Sequence, residues 1–287
     1  RVSKMKKQNI LLATLLLVIV CITACSESSI EDPFVQIERE ITFNFGISQS
    51  TRTVTSIDRK TNFIDEDQIG VWGLKREGLD IVHTNLQYEY IANNEKWNAE
   101  RSITFPLDGS HLNFYAYYPY NLDLKDTKFD FTVAQNQSKE EGFNRSDLLL
   151  AMNDKATVDN KSIVLTFLHQ LALVETEIAL PENESIVKVD IRAKKTATVD
   201  LVSQTANVKN DEPVDYITML KVAEGIFRAV VPMQVINEGK LFRIVTTDGK
   251  VNYTYWYKVK ENVDLVANKV NSFSINCMPS TDVNNNL

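Results

Sequence analysis

Glycine is scarce in this chain, nine residues in 287, and histidine and cysteine are scarcer still at three each. So few glycines leave little room for a phosphate-cradling loop or a nicotinamide fingerprint, and no G-x-S-x-G elbow occurs. His83, His111 and His169 lie far apart, which excludes a local H-E-x-x-H zinc motif, and there is no C-x-x-C. An excess of positive charge is missing too. Lys and Arg number 31 against 38 Asp and Glu, a net charge of −7, and an acidic surface repels phosphate backbones. Nucleic acid is therefore not an expected partner. Long apolar runs are absent except for Ile10–Ile22, which only Thr14 interrupts.

That run has a meaning of its own. Lys6 and Lys7 precede it, with Met5 as the expected start, and its length suits the roughly 7–15 residue core of a secretory signal better than a membrane span. It ends in Ile22-Thr23-Ala24-Cys25, which resembles the bacterial lipobox. The resemblance implies cleavage before Cys25 and lipidation of that cysteine, palmitate included. Several acyl chains would hold the protein stably to a membrane where one is marginal. Residues 1–24 then form the signal peptide and 25–35 a lipidated tether. Glu27, Glu31 and Asp32 make the tether acidic, similar to the tract behind the cysteine in surface-exported lipoproteins of the Bacteroidetes. Loss of residues 1–24 removes Arg1, Lys4, Lys6 and Lys7 and no carboxylate, moving the net charge to −11. Cys21 leaves with the signal and Cys25 is modified. Cys277 is left as the one thiol, so no intrachain disulfide is expected and packing must hold the fold.

Beyond residue 35 the apolar pattern has a period of two. Ile41, Phe43 and Phe45 alternate with Thr42 and Asn44; Leu86, Tyr88 and Tyr90 with Gln87 and Glu89; Val251, Tyr253, Tyr255 and Tyr257 with Asn252 and Thr254. Such alternation puts one face in a core and the other in water, as antiparallel sheets require. Asp108-Gly109 and Asp248-Gly249 mark turns between strands. The reading is an all-β chain of some fourteen strands, with only Ser146–Met152 briefly helical. That is too many strands for one small sandwich. Two antiparallel β-sandwiches are expected, 36–158 and 159–287, joined in the polar stretch near Ala156–Lys161.

The remaining candidates for chemistry each have a plainer explanation. Asp65-Glu66-Asp67 could attract calcium, but it lacks the spacing and the glycine of a dedicated loop and reads as a solvated turn. Ser146-Asp147 is commonplace at a helix N-terminus. The aromatics of Phe114 to Tyr120 could stack sugars, although alternating aromatics in a strand are more often core and cross-strand pairs. No nucleophile and base stand together. An enzyme, a cofactor or a metal is not expected.

The landmarks fall in a telling order. Thr51-Arg52-Thr53 is followed by Asp67-Gln68-Ile69-Gly70-Val71-Trp72-Gly73, Trp97, Phe114 to Tyr120 as FYAYYPY, Gln135, Gln137 and Ser138. Ser146-Asp147-Leu148-Leu149-Leu150-Ala151 and Phe167-Leu168-His169-Gln170-Leu171-Ala172 complete the series. Behind a lipobox, this series resembles the fimbrillin-like proteins of Bacteroides and Porphyromonas relatives. The resemblance implies two tandem transthyretin-like sandwiches and a subunit of a type V-like fimbria at the outer membrane. It also implies proteolytic processing between Arg52 and Thr53, release of an N-terminal strand, and its replacement by a strand from a neighbouring subunit. The family's histidine maps to His169, which beside Phe167 reads as a packing or junction residue. The segment after Phe273–Cys277 has little apolar alternation, which points away from a shaft subunit and toward a tip, anchor or minor one. The expected partners are other fimbrial subunits by strand addition, the membrane through Cys25, and a host or bacterial surface ligand. The competing reading is a glycan-binding surface lipoprotein of a nutrient-uptake system, using exposed Trp72, Trp97 or Trp256.

Overall fold

The computed structural model describes residues 40–48 and 62–277. Its first strands are β1 (Glu40–Ile47), β2 (Gln68–Lys75), β3 (Ile81–Ile91), β4 (Lys96–Ala99), β5 (Ile103–Thr104), β6 (Leu112–Tyr118), β7 (Lys128–Thr132), β8 (Leu149–Asn153) and β9 (Ser162–His169). One short helix, α1 (Glu140–Asn144), lies between β7 and β8. Then follow β10 (Ala172–Ala179), β11 (Ser185–Ala193), β12 (Thr196–Asp200), β13 (Thr205–Val208), β14 (Asp215–Thr218), β15 (Leu220–Ala223) and β16 (Ile226–Val231). The last are β17 (Gln234–Ile236), β18 (Gly239–Thr247), β19 (Asn252–Val259), β20 (Val263–Leu265) and β21 (Val270–Asn276). The chain is all-β, as its alternation predicts.

Eight strands make the first sheet in the order β4-β3-β2-β6-β8-β9-β1-β5. Later strands form β15-β16-β10-β21 and β14-β11-β18-β19, and β7 joins β12 and β13. Thus β9 stays with β8 and β1, while β7 pairs across to β12. Two pairs, β1 with β9 and β10 with β21, are parallel; every other strand pair among the described residues is antiparallel.

The central strands β2, β6 and β8 are buried on both faces. Ile69, Val71, Phe114, Ala116 and Leu149 face a core shared with β1 and β9. From the opposite face Trp72, Tyr115, Tyr117 and Leu150 join a second core built by β10, β11, β16 and β18. A strand buried twice shows no alternation. This explains the unbroken apolar runs at 114–118 and 148–151, and it corrects one expectation. Leu149–Asn153 is a strand and not a helix, and the only described helix ends before Ser146. The crowding also dictates a glycine. A Cβ on Gly70 would lie 2.2 Å from the Tyr117 ring, whose hydroxyl donates to Asn85 Oδ1 at 2.8 Å.

Candidate functional site

The first described strand is held in an unusual way. From Thr42 to Ile47, β1 pairs in parallel with Ser162 to Phe167 of β9, and backbone bonds of 2.9 Å from Thr42 N to Lys161 O and Ser48 N to Phe167 O extend the ladder. Its other edge meets β5 only at Glu40 and Ile41. Parallel ladders are slightly weaker per residue than antiparallel ones. Side chains supply the rest of the hold. Ile41 is buried, and Phe43 meets Phe114 edge-on at 5.0 Å and Tyr88 at 5.6 Å. Phe45 stacks with Phe43 at 5.6 Å and packs against Trp97 at 5.1 Å. These are the inward positions that the alternation assigned.

Along the free edge of β1 runs a cleft of ≈ 850 Å³, lined across from the strand by Phe63, Tyr88, Tyr90 and Trp97. Phe63 lies 4.8 Å from Trp97 and 5.6 Å from Phe167. β1 thus borders open space on one side and β9 on the other. Cys25, Arg52 and Thr53 lie outside the described residues, as does everything after Cys277. The described chain ends with β21, which pairs with β10 from Leu173 to Ala179 and buries Ile275. Cys277 is a buried free thiol whose pKa burial pushes up.

The polar motif residues have structural partners. His169 Nδ1 lies 2.8 Å from Asp147 Oδ1, both buried. Ser146 follows α1 instead of opening a helix; its hydroxyl donates to Gly142 O at 2.7 Å and accepts from Ala134 N at 2.9 Å. Gln137 is fully buried, and its amide bonds both Val230 N and Val230 O at 2.8 Å, as a strand residue would. In the acidic cluster, Asp65 accepts from Ala92 N and Asp67 from Ile64 N, both at 2.8 Å. Asp67 also accepts from Tyr118 Oη at 3.0 Å, and burial pushes its carboxyl above the ordinary range. These carboxylates fasten a turn.

The tryptophans divide. Trp72 is 0% exposed, which corrects its candidacy for sugar stacking: it belongs to the second core. Trp97 packs on Phe45, and only Trp256 stands half-buried on an outer sheet face, beside Lys240. The cleft itself was not legible in the sequence: Tyr90 and Trp97 are register partners in the β3–β4 hairpin, but Phe63 and β1 reach them only through tertiary packing.

Two known structures share this architecture over most of their length. A candidate cell-adhesion protein from Bacteroides uniformis, 21% identical, gives a TM-score of 0.59 over 75% of this chain and 88% of its own. A second, from Bacteroides ovatus and 13% identical, gives 0.58 over 83% and 91%. At such identities the likeness establishes the fold alone. No curated protein matches the chain. Residues 51–287 match the fimbrillin-like family, most of the chain and nearly all of the motif series, and so the chain belongs to the fimbrillin-like family.

Proposed function

We propose that the chain is a non-enzymatic subunit of a cell-surface fimbria, lipid-anchored through Cys25 and assembled by strand exchange after cleavage at Arg52. The observation that carries this is β1: a strand on a parallel ladder, unpaired along most of its other edge, aromatic on one face, flanked by an open cleft and followed within a few residues by Arg52. Residues 46–55 are Ser/Thr-rich and polar, the composition in which proteases cut. Once cut, β1 can leave. Its departure uncovers the β9 edge and the Tyr88, Phe114 and Phe167 rings, a template for β-augmentation by another chain. A replacement strand making roughly five backbone bonds at ~1 kcal/mol each and burying about three large apolar side chains at ~2 kcal/mol each gains ~10 kcal/mol before ordering costs. The native strand makes the same contacts while it is tethered, so the cut is the trigger.

The two-sandwich organisation belongs to this reading. Because β9 pairs with β8 and β1, the change-over fits the Gln170 turn better than the expected division at 158/159. A place at the tip, at the anchor or as a minor component is the one that asks no donor role of residues 279–287.

The exchange is tested by locking β1 in place. Asn44 and Val164 are register partners and both face solvent. Asn44→Cys with Val164→Cys, oxidised, should abolish higher-order ladders after normal cleavage, and reduction should restore them. Equal ladders from the oxidised protein would refute strand release.

A further inference from the structure

The sheet β14-β11-β18-β19 carries an outer face whose charge opposes that of the whole molecule. Val189, Ile191, Ile217, Phe242 and Ile244 are buried on its inner side. The alternate positions therefore point outward: Tyr216 on β14, Lys188, Asp190 and Arg192 on β11, Lys240 and Arg243 on β18, Trp256 and Lys258 on β19. Lys188, Arg192, Lys240, Arg243 and Lys258 are cations, on a chain whose net charge is −7. Asp190, the single outward carboxylate, is 1% exposed and already engaged. It accepts from Arg243 Nη2 and from the Thr218 hydroxyl at 2.8 Å, with Lys188 Nζ at 3.3 Å. Among the described residues Arg192, Lys240 and Lys258 have no ion-pair partner. Lys240 and Lys258 even stand opposite each other in register, where like charges repel.

Aromatic rings are set among these cations. Lys240 Nζ lies 4.0 Å from the Trp256 ring centroid, and Arg243 Cζ lies 4.2 Å from that of Tyr216. The two rings are 6.0 Å apart. Cation–π contact holds the charges at defined points on a flat surface. Strands ~4.8 Å apart with outward side chains every ~7 Å give a grid of positive charge. A chain of sugars carrying regularly spaced anionic groups fits such a grid, and its apolar ring faces can rest against the half-buried Trp256 indole. The acidic remainder of the molecule repels a polyanion, so contact is confined to this face.

We propose that this face docks an acidic polysaccharide, one bearing carboxylate or sulfate groups. The inference stands apart from strand exchange, since a monomer would bind as well as an assembled subunit.

Immobilised chondroitin sulfate, with dextran as the neutral control, tests it on the mature full chain in detergent. Retention at low ionic strength that weakens as salt rises, and none on dextran, is expected. Lys240→Glu together with Lys258→Glu should weaken binding about tenfold or more, and Trp256→Ala several-fold, while Lys125→Glu in the first half leaves it unchanged. Lys258→Ala alone, a milder change at an exposed position, should still weaken binding if the double variant fails to fold. Four results would overturn the proposal: no retention at low salt, equal loss in Lys125→Glu, equal retention on duplex DNA, or salt-sensitive self-association through this face in place of glycan binding.

Discussion

At the scale of single residues, two buried groups stand out for lacking partners. Trp72 Nε1 and Thr176 Oγ1 are buried without a hydrogen bond among the described residues. Thr176 lies on β10 between its register neighbours Phe227 and Phe273, an apolar setting. A hydroxyl there gives up its water and gains nothing in return. Thr176→Val keeps the shape and removes the unpaired group, so it should raise stability by about 1 kcal/mol, read from urea denaturation. A loss of stability would mean that the hydroxyl has a partner after all. Gln137 and the His169–Asp147 pair are the opposite case, buried and hydrogen-bonded. That His169 is buried on the face of β9 that carries Phe167 was legible from their spacing of two. The part played by Gln137 was not, because its partner Val230 is distant in sequence and nothing local marks the contact.

At the scale of elements, β1 shows where period-two reading works. Ile41, Phe43 and Phe45 turn inward as their spacing predicts, and on β19 Tyr255 and Tyr257 pack against the second core, although Tyr253 at the start of the same row is exposed. The same rule fails where both faces are buried, as at Leu149 and Leu150, and where strands are too short for any period, as in β14, β15, β17 and β20. Pairing partners were not legible at all. That β1 would lie parallel to β9, or β7 beside β12, depends on tertiary packing that no window of sequence contains. For β1 the consequence is measurable. Phe45 touches Phe43, Tyr88, Trp97 and Phe167. Phe45→Ala should destabilise the uncleaved protein by about 3 kcal/mol. It should also speed release of β1 from the cleaved form, followed by Trp97 fluorescence. Unchanged stability would mean that β1 contributes little to the first core.

At the scale of the whole molecule, both described ends of the chain are strands on parallel ladders, β1 on β9 and β21 on β10. In the proposed exchange, such a subunit would open at its first strand without dismantling the antiparallel sheets, whose central strands are fastened from both faces. Lipid anchoring through Cys25 would keep the closed precursor at the membrane until it is cut. Cys25→Ala should lose palmitate labelling and retain its signal, and normal labelling of that variant would show that the lipobox reading is mistaken. The central claim is that a cut at Arg52 is what permits assembly. N-terminal sequencing of surface-exposed protein from the wild type and from Arg52→Ala, alongside gels of unboiled samples, tests it most directly. The account predicts a wild-type N-terminus at Thr53 with higher-order ladders, and neither in the variant. Ladders formed by uncleaved Arg52→Ala protein would contradict it.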